Sequence, residues 1–325
     1  MDLRLIAFDL DGTLLRSDKS ISPRTMHALH AAQERGVLLV PATGRLYRSL
    51  PEALLDEQLS RYGIRMISLR IVCQNAEYRD RIDIQEDELY ELLTRELPKT
   101  SLPLPEDVSA LYESLAQEGV TDVIHMSISS GLSGTFNMVR MITQDFGSRM
   151  RVHMVDSRTL SMGLGMMVLA AARALEEGAT PEEAIERAQT VRKNQLGMFV
   201  IRTLEFLRKG GRIGLVEGVV GSLLQIKPII YVNDDGVYET LAKARGYRSA
   251  VDTMVSEVKR FLGGARAELS VVNGKAREEA EKLMERLRSE LEVAEGACIM
   301  PVSPVLAIHT GPGLLGIVAN RADPA

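Results

Sequence analysis

The stretch "SISSGLSGTFN", residues 127–137, joins an apolar run to an amphipathic segment. The run before it, "TDVIHMSIS", predicts a strand, and the pattern after it predicts a helix that begins near Thr135. Ligands of open α/β sheets bind at the carboxyl ends of strands, and a helix N-terminus adds free N–H donors that suit an anion. The loop therefore predicts an anion site. An ordinary Gly/Ser turn with a Ser or Thr cap is the alternative.

The composition is typical of a soluble globular protein. The chain has 325 residues, enough for two domains, with 45% hydrophobic and 26% charged residues. Its net charge of −5 argues against a nucleic-acid partner, because phosphate binding needs a basic surface. Cys73 and Cys298 have no partner at a metal-ligand spacing, so we expect no zinc and a reducing, cytoplasmic location. We recognise neither a signal peptide nor a membrane span, and we expect no metal or cofactor.

The order of apolar patterns predicts an α/β fold. Strand and helix patterns alternate from the N-terminus to about residue 194, which predicts a parallel, doubly wound sheet. The predicted strands are 3–10, 37–44, 64–72, 121–129 and 151–157, and the predicted helices are 22–35, 83–97, 105–119, one from about 135, 161–177 and 181–194.

The C-terminal part has a different pattern. Residues 227–245 predict a hairpin turned by Asp235-Gly236. A helix at 247–262, a strand at 267–274, a helix at 275–291 and a strand at 296–304 follow. These patterns predict a smaller α+β unit.

The N-terminal stretch "AFDLDGTLL", residues 7–15, indicates a different chemistry. Together with "SDKSISPRTMHALHAAQERGVLLVPATGR" it resembles the start of the Cof-type phosphatases of the haloacid dehalogenase superfamily. The resemblance implies Asp9 as nucleophile, Asp11 as general acid/base, Mg²⁺ held by both, and Thr43 on the phosphate. The superfamily's later lysine and acidic motif are missing, so we expect an inactive fragment. An Mg²⁺-dependent phosphatase that uses Asp9 and Asp11 is the alternative function.

Seven ordered segments across the rest of the chain resemble the DegV family of fatty-acid-binding proteins. They are "YRDRIDI" (78–84), "KTSLPLPED" (99–107), "ISSGLSGT" (128–135), "VDSRTLSMGLG" (155–165), "LRKGGRI" (207–213), "GSLLQIKPI" (221–229) and "HTGPGLLG" (309–316). The family fold is a two-lobed α/β structure that encloses one long-chain fatty acid. The resemblance implies an N-terminal lobe at 59–157 and a C-terminal lobe at 158–325. The fragment at 1–58 precedes them and can supply the first strand of the next lobe.

The resemblance also implies a binding site for a fatty acid such as palmitate or oleate. Its carboxylate would lie on Thr100 and Ser130, with the Gly131 N–H and His309 close by. The full implied set is Thr100, Ser101, Ser129, Ser130, Gly131, His309 and Thr310. The apolar runs 161–171 and 219–230 are candidates for the slot that holds the tail, with plain core packing as the alternative for most of their residues.

Family members present the bound acid to a separate fatty acid kinase, which phosphorylates the carboxylate. Arg212 and Arg245 match the arginines that would face the phosphate and the kinase, although Arg212 could instead cap a helix. The resemblance thus implies a bacterial lipid-binding protein rather than an enzyme, as a monomer or homodimer.

Overall fold

The computed structural model describes residues 5–8, 38–41, 59, 61–219 and 225–322. The chain divides into two compact units, Met1–Glu57 and Gln58–Ala325. In the first unit, β1 (Leu5–Phe8) and β2 (Leu38–Pro41) form a parallel pair. Both strands lie in runs that predicted strands. The predicted helix at 22–35 lies outside the described residues.

The second unit begins with a small antiparallel sheet. Its strands are β3 (Arg70–Val72), β4 (Glu77–Arg79) and β5 (Lys99–Ser101), with β3 in the middle and helix α1 (Glu86–Leu92) between β4 and β5 in the chain. The sequence predicted a strand over 64–72, and only its last three residues form one. The strand is this short because its partners β4 and β5 are each three residues long.

A parallel pair of strands follows and is covered on both faces. The elements are α2 (Pro105–Gln117), β6 (Asp122–Ser127), α3 (Thr135–Ile142), a 3₁₀ turn (Thr143–Phe146), β7 (Arg151–Asp156), α4 (Met162–Glu176) and α5 (Pro181–Lys193). Helices α2 and α3 pack on one face, and α4 and α5 pack on the other. The predicted alternation and its helix boundaries are confirmed to within a few residues. Among the described residues, the predicted doubly wound parallel sheet consists of only β6 and β7.

Local chemistry explains two of these helix starts. Pro105 and Pro181 occupy the first turn of α2 and α5, where a missing N–H costs no hydrogen bond. Before α5, the Thr180 hydroxyl accepts the Glu183 N–H at 3.3 Å, while the Glu183 carboxylate accepts the Thr180 N–H at 2.8 Å. This reciprocal capping box fixes the first turn of α5.

The largest sheet that the structure describes has six strands and lies in the C-terminal part. In spatial order they are β10 (Tyr238–Arg245), β9 (Ile226–Val232), β8 (Gln195–Val200), β13 (Leu314–Arg321), β11 (Ala267–Gly274) and β12 (Cys298–Pro301). Neighbours are antiparallel except β11 and β12, which are parallel. The predicted hairpin and the α+β character are confirmed, but the sheet is larger than the small unit that the sequence predicted.

Helices cover both faces of this sheet. They are α6 (Glu205–Lys209), α7 (Tyr247–Leu262), α8 (Arg277–Glu290) and α9 (Pro304–Thr310), and a 3₁₀ turn spans Gly214–Val219. Leu315 and Ile317 face a core built with α7 and α8. Leu314 and Val318 face a second core built with α1, α6 and α9. The sheet is therefore the middle of three layers.

The sequence reasoning missed β8 and β13. Strand β13 is buried along all but its last residue, because both of its faces contact helices. A strand buried on both faces does not alternate apolar and polar residues, so period-two reasoning does not detect it. Only the tertiary packing identifies it as a central strand.

The tip of the β9–β10 hairpin packs on the loop that follows β6. The Ser129 hydroxyl, which is fully buried, donates to the Gly236 carbonyl oxygen at 2.6 Å. Gly236 has a φ of +79°, and a Cβ placed there would lie 2.1 Å from the Ser129 Oγ. The contact therefore requires a glycine both for the turn and for the close approach.

We predict that Gly236→Ala destabilises the chain by about 3 kcal/mol or more, through backbone strain and the clash with Ser129. Gly263→Ala is the matched control, since Gly263 has a φ of +60° but no atom lies within 4 Å of the place that its Cβ would take. Strain alone should cost the control about 1–2 kcal/mol. Urea unfolding measures both variants, and equal losses would contradict the role given to the Ser129 contact.

A half-buried histidine joins α2 to β6. The Nδ1 of His125 lies 3.0 Å from the Tyr112 hydroxyl, and its Nε2 lies 2.9 Å from the Ser127 Oγ. Burial lowers the pKa of His125 from 6.5 to about 4, because a charged imidazolium would lose its hydration there. The folded chain therefore keeps His125 neutral at pH values at which the unfolded chain protonates it.

We predict that His125 makes the free energy of unfolding fall as the pH drops from 6.5 to about 4. In this window the unfolded chain binds the proton more tightly, so the contribution is complete above the window and lost at its lower end. The loss is at most about 3 kcal/mol. Urea unfolding at several pH values should give a smaller slope for His125→Gln than for the original chain. Identical slopes would show that another group causes the loss.

Candidate functional site

A cavity of about 230 Å³ lies between β5, the loop after β6, and α9. Most of its lining residues are apolar, with a few polar side chains among them. The lining residues are Leu69, Thr100, Ser101, Leu102, Ile128, Leu132, Ser133, Leu160, Arg212, Tyr238, Val305, Leu306 and His309. An apolar wall with a small number of polar groups is the usual construction of a small-molecule site.

The polar part of the wall includes a hydrogen bond between two distant segments. Thr100 lies in β5, and His309 lies in the last turn of α9. The Thr100 Oγ1 and the His309 Nε2 are 2.8 Å apart. Both residues were expected at the site from the family resemblance, and the fold brings them together although 209 positions separate them.

His309 is buried and neutral near pH 7. Burial, and then the positive charge of Arg212, lower its pKa from 6.5 to about 4. Its Nδ1 is buried without a hydrogen-bond partner among the described residues. Gly210 packs directly against this nitrogen, since a Cβ at that position would lie 2.1 Å away. His309 therefore presents its Nε2, which is paired with Thr100, to the site and adds no charge.

The charge at the cavity comes from Arg212, which follows α6. Its Nη1 donates to the Gly210 carbonyl oxygen at 2.7 Å, and its Nε donates to the Leu132 carbonyl oxygen at 3.4 Å. No carboxylate of the described residues forms an ion pair with this half-buried guanidinium. A half-buried cation that is held only by carbonyl oxygens attracts an anionic ligand.

A second cavity, of about 370 Å³, adjoins the first one. The two cavities share Leu132, Ser133, Arg212 and Tyr238. The second is rich in glycine and serine, and its lining residues are Ser130, Gly131, Leu132, Ser133, Gly134, Gly211, Arg212, Gly214, Val237 and Tyr238. Arg212 thus lies at the junction between an apolar cavity and a more polar one.

The serines of the loop "SISSGLSGTFN" have different roles. Ser129 is fully buried and lines neither cavity, because its hydroxyl binds the Gly236 carbonyl. Ser130 lines the second cavity, and its hydroxyl donates to the Asp156 Oδ2 at 2.5 Å. Ser133 lines both cavities, and its Oγ lies 2.8 Å from the Thr135 Oγ1. The loop is therefore partly structural and partly exposed to the cavities.

Other predicted residues lie away from the cavities. Thr310 is buried, and its hydroxyl donates to the Leu306 carbonyl oxygen within α9 at 3.0 Å. Arg245 ends β10 on the exposed surface and lines neither cavity. The run 161–171 contributes no lining residue; its Met162 and Met166 pack against the second core instead. Residues 220–224 of the other run lie outside the described residues.

Asp156 is a site residue that the sequence reasoning missed. It ends β7, next to the loop after β6, and holds Ser130 through both the main chain and the side chain. The signal was present in the segment "VDSRTLSMGLG", because an acidic residue at the end of a predicted parallel strand lies at the edge where ligands bind. The cavity wall contributed by Ile128, Leu132 and Leu160 was not predictable, because apolar loop residues carry no distinguishing pattern.

The features of the alternative phosphatase lie outside the described residues. This applies to Asp9, Asp11 and Thr43, so their roles stay predictions. Within the described ranges, no group of three or more His, Cys, Asp or Glu side chains is arranged to hold a metal ion. None of the helices in these ranges is long and apolar enough to cross a bilayer.

The chain is similar to known proteins of two families. The model of the DegV family, described as an uncharacterised protein family, matches residues 52–322, and the model of haloacid dehalogenase-like hydrolases matches residues 6–93. A DegV domain-containing protein of Clostridium acetobutylicum is 38% identical over 262 residues, which cover 81% of this chain and 93% of the relative.

Two solved structures are similar over the same part. A DegV family protein from Thermus thermophilus, described by its fatty acid binding, has 31% identity and a TM-score of 0.76, covering 82% of this chain and 95% of that one. DegV from Bacillus subtilis, described as a fatty acid binding protein, has 28% identity and a TM-score of 0.73 at the same coverage. The family match covers most of the chain, and the identity and coverage of the relatives agree with it, so this chain belongs to the DegV family.

Proposed function

We propose that this protein binds a long-chain fatty acid, with the carboxylate at Arg212 and the tail in the apolar cavity. The observation that carries the proposal is the half-buried Arg212 guanidinium, which has no carboxylate partner among the described residues and lies at the wall of an apolar cavity. A fatty acid has the two complementary parts, one anion and one apolar chain. The DegV relatives described as fatty-acid-binding support this choice of ligand.

In the proposed complex the carboxylate lies where the two cavities meet. Arg212 supplies the charge, and the Thr100–His309 pair supplies neutral hydrogen-bonding groups on the side of the first cavity. Neutral His309 avoids a second positive charge in a buried place, where desolvation of ions is costly. Ser101 lines the first cavity and Ser130 lines the second.

The tail would lie against the apolar wall of the first cavity. Leu69, Leu102, Ile128, Leu160 and Leu306 supply that wall. The cavity, at about 230 Å³, is smaller than the roughly 300–1,000 Å³ of ligand pockets. We therefore expect leucine side chains of the wall to change rotamer when an acyl chain enters.

The family resemblance adds a role beyond binding. We propose that the protein is not itself an enzyme and presents the acid to a fatty acid kinase in the bacterial cytoplasm. The glycine-rich second cavity borders Arg212, so it offers space beside the carboxylate for a phosphoryl group. The Gly131 N–H, which was expected at the carboxylate, donates to the Ser129 Oγ at 3.2 Å instead. A guanidinium suits such an oxyanion because it donates two parallel hydrogen bonds.

Native mass spectrometry of protein purified from a bacterial host tests the proposed ligand. We expect about one fatty acid per chain, since an apolar site retains a long-chain lipid through purification. Delipidated protein should regain one equivalent of palmitate or oleate in a titration. Protein that arrives without lipid and takes up neither acid would rule out the proposal.

We predict that Arg212→Gln weakens fatty-acid binding by about 10- to 100-fold, because it removes the charge-assisted hydrogen bonds to the carboxylate. Arg245→Gln is the matched control, because Arg245 is exposed and lines neither cavity. It should change the affinity by less than about twofold. Titration with a fluorescent fatty acid measures both variants. Equal losses would place the carboxylate away from Arg212.

A further inference from the structure

We propose that Asp156 sets the affinity of the headgroup site by competing with the ligand carboxylate for the hydroxyl of Ser130. This inference rests on the proposed fatty-acid binding and concerns its regulation within the same site. Asp156 is an affinity-determining, positioning residue, because it acts on the ligand through Ser130.

The carboxylate of Asp156 accepts three hydrogen bonds. Its Oδ1 accepts the N–H of Ser130 at 3.0 Å and the N–H of Arg158 at 3.2 Å. Its Oδ2 accepts the hydroxyl of Ser130 at 2.5 Å. One carboxylate oxygen therefore fixes the main chain of the loop, and the other holds the Ser130 side chain.

The negative charge of Asp156 is held by neutral donors alone. No described lysine, arginine or histidine forms an ion pair with it. The nearby Arg158 directs its guanidinium elsewhere, because its Nη1 donates to the Asp234 carbonyl oxygen at 3.1 Å. An unpaired carboxylate is a strong acceptor, so its hydrogen bond to a hydroxyl is charge-assisted.

The Ser130 hydroxyl cannot donate a hydrogen bond to Asp156 and to an anionic ligand at the same time. A hydroxyl has one hydrogen to donate, and in this structure that hydrogen is directed at Asp156. With Ser130 so bound, only its lone pairs face the cavity, and they repel a carboxylate. A ligand oxygen bonded to the Ser130 Oγ would lie within about 6 Å of the Asp156 Oδ2, given normal hydrogen-bond lengths. Two like charges at that separation weaken binding further.

Asp156→Asn separates the two functions of this carboxylate. The amide oxygen still accepts the N–H groups of Ser130 and Arg158, so the loop keeps its main-chain contacts. The amide nitrogen donates to the Ser130 Oγ instead of accepting from it. The Ser130 hydrogen is then free for the ligand, and the negative charge is gone.

The experiment measures affinity for palmitate and the melting temperature of the original chain, Asp156→Asn, Ser130→Ala and the double variant. We expect Asp156→Asn to bind about tenfold more tightly, with little change in melting temperature, and to lose most of this gain in the Ser130→Ala background. A structural role alone would lower affinity and melting temperature together. Weaker or unchanged binding by a folded Asp156→Asn overturns the proposal, and so does a gain that Ser130→Ala leaves intact.

A second measurement does not depend on the folding of Asp156→Asn. In the original chain, Ser130→Ala should weaken palmitate binding by less than about threefold, because the ligand gains the Ser130 hydrogen only at the cost of the bond to Asp156. A loss of tenfold or more would show that the hydroxyl is freely available to the ligand and would overturn the proposal. Absence of binding by the original chain would instead reject the proposed function, and this inference with it.

Discussion

The buried hydrogen bond from Ser129 to the Gly236 carbonyl is the contact on which the site depends. It attaches the tip of the β9–β10 hairpin to the loop after β6, two segments that belong to different sheets.

Arg192 strengthens the junction, since its Nη2 donates to the carbonyl oxygens of Arg158 and Asn233, both at 3.1 Å. Gly131 packs against the same hairpin tip. Because the hairpin carries Tyr238 to the walls of both cavities, this junction places part of each lining.

The electrostatics of the site follow from burial. His309 and Arg212 lie close enough for the arginine to lower the pKa of the histidine, and burial acts in the same direction. The imidazole therefore adds no second charge, and the Arg212 guanidinium is the charged group of the cavity wall. An arrangement with one cation and several neutral donors binds a monoanion with less desolvation cost than a cluster of charges.

The serine-rich loop supports the fold and lines the cavities within a few residues. The Ser129 hydroxyl donates to the Gly236 carbonyl oxygen, whereas Ser130 lines the second cavity. The carboxylate of Asp156 spans the main chain and the side chain of Ser130. The same acidic residue thus stabilises the loop and controls which hydrogen-bonding groups face the cavity.

The sequence by itself determined much of this protein. Prolines, caps and apolar spacing located the longer helices that the structure describes, but not α6 or α9. The Asp235-Gly236 pair located the hairpin, and the ordered motifs indicated the family and the residues Thr100, Arg212 and His309, which line the first cavity. Local chemistry was sufficient because each of these signals depends on a few neighbouring residues. The tertiary structure alone decided that β13 is a central strand, since its burial on both faces removes the alternating pattern. It also decided the partners of Ser129 and Ser130, because each of these hydrogen bonds joins segments distant in sequence that only packing brings together.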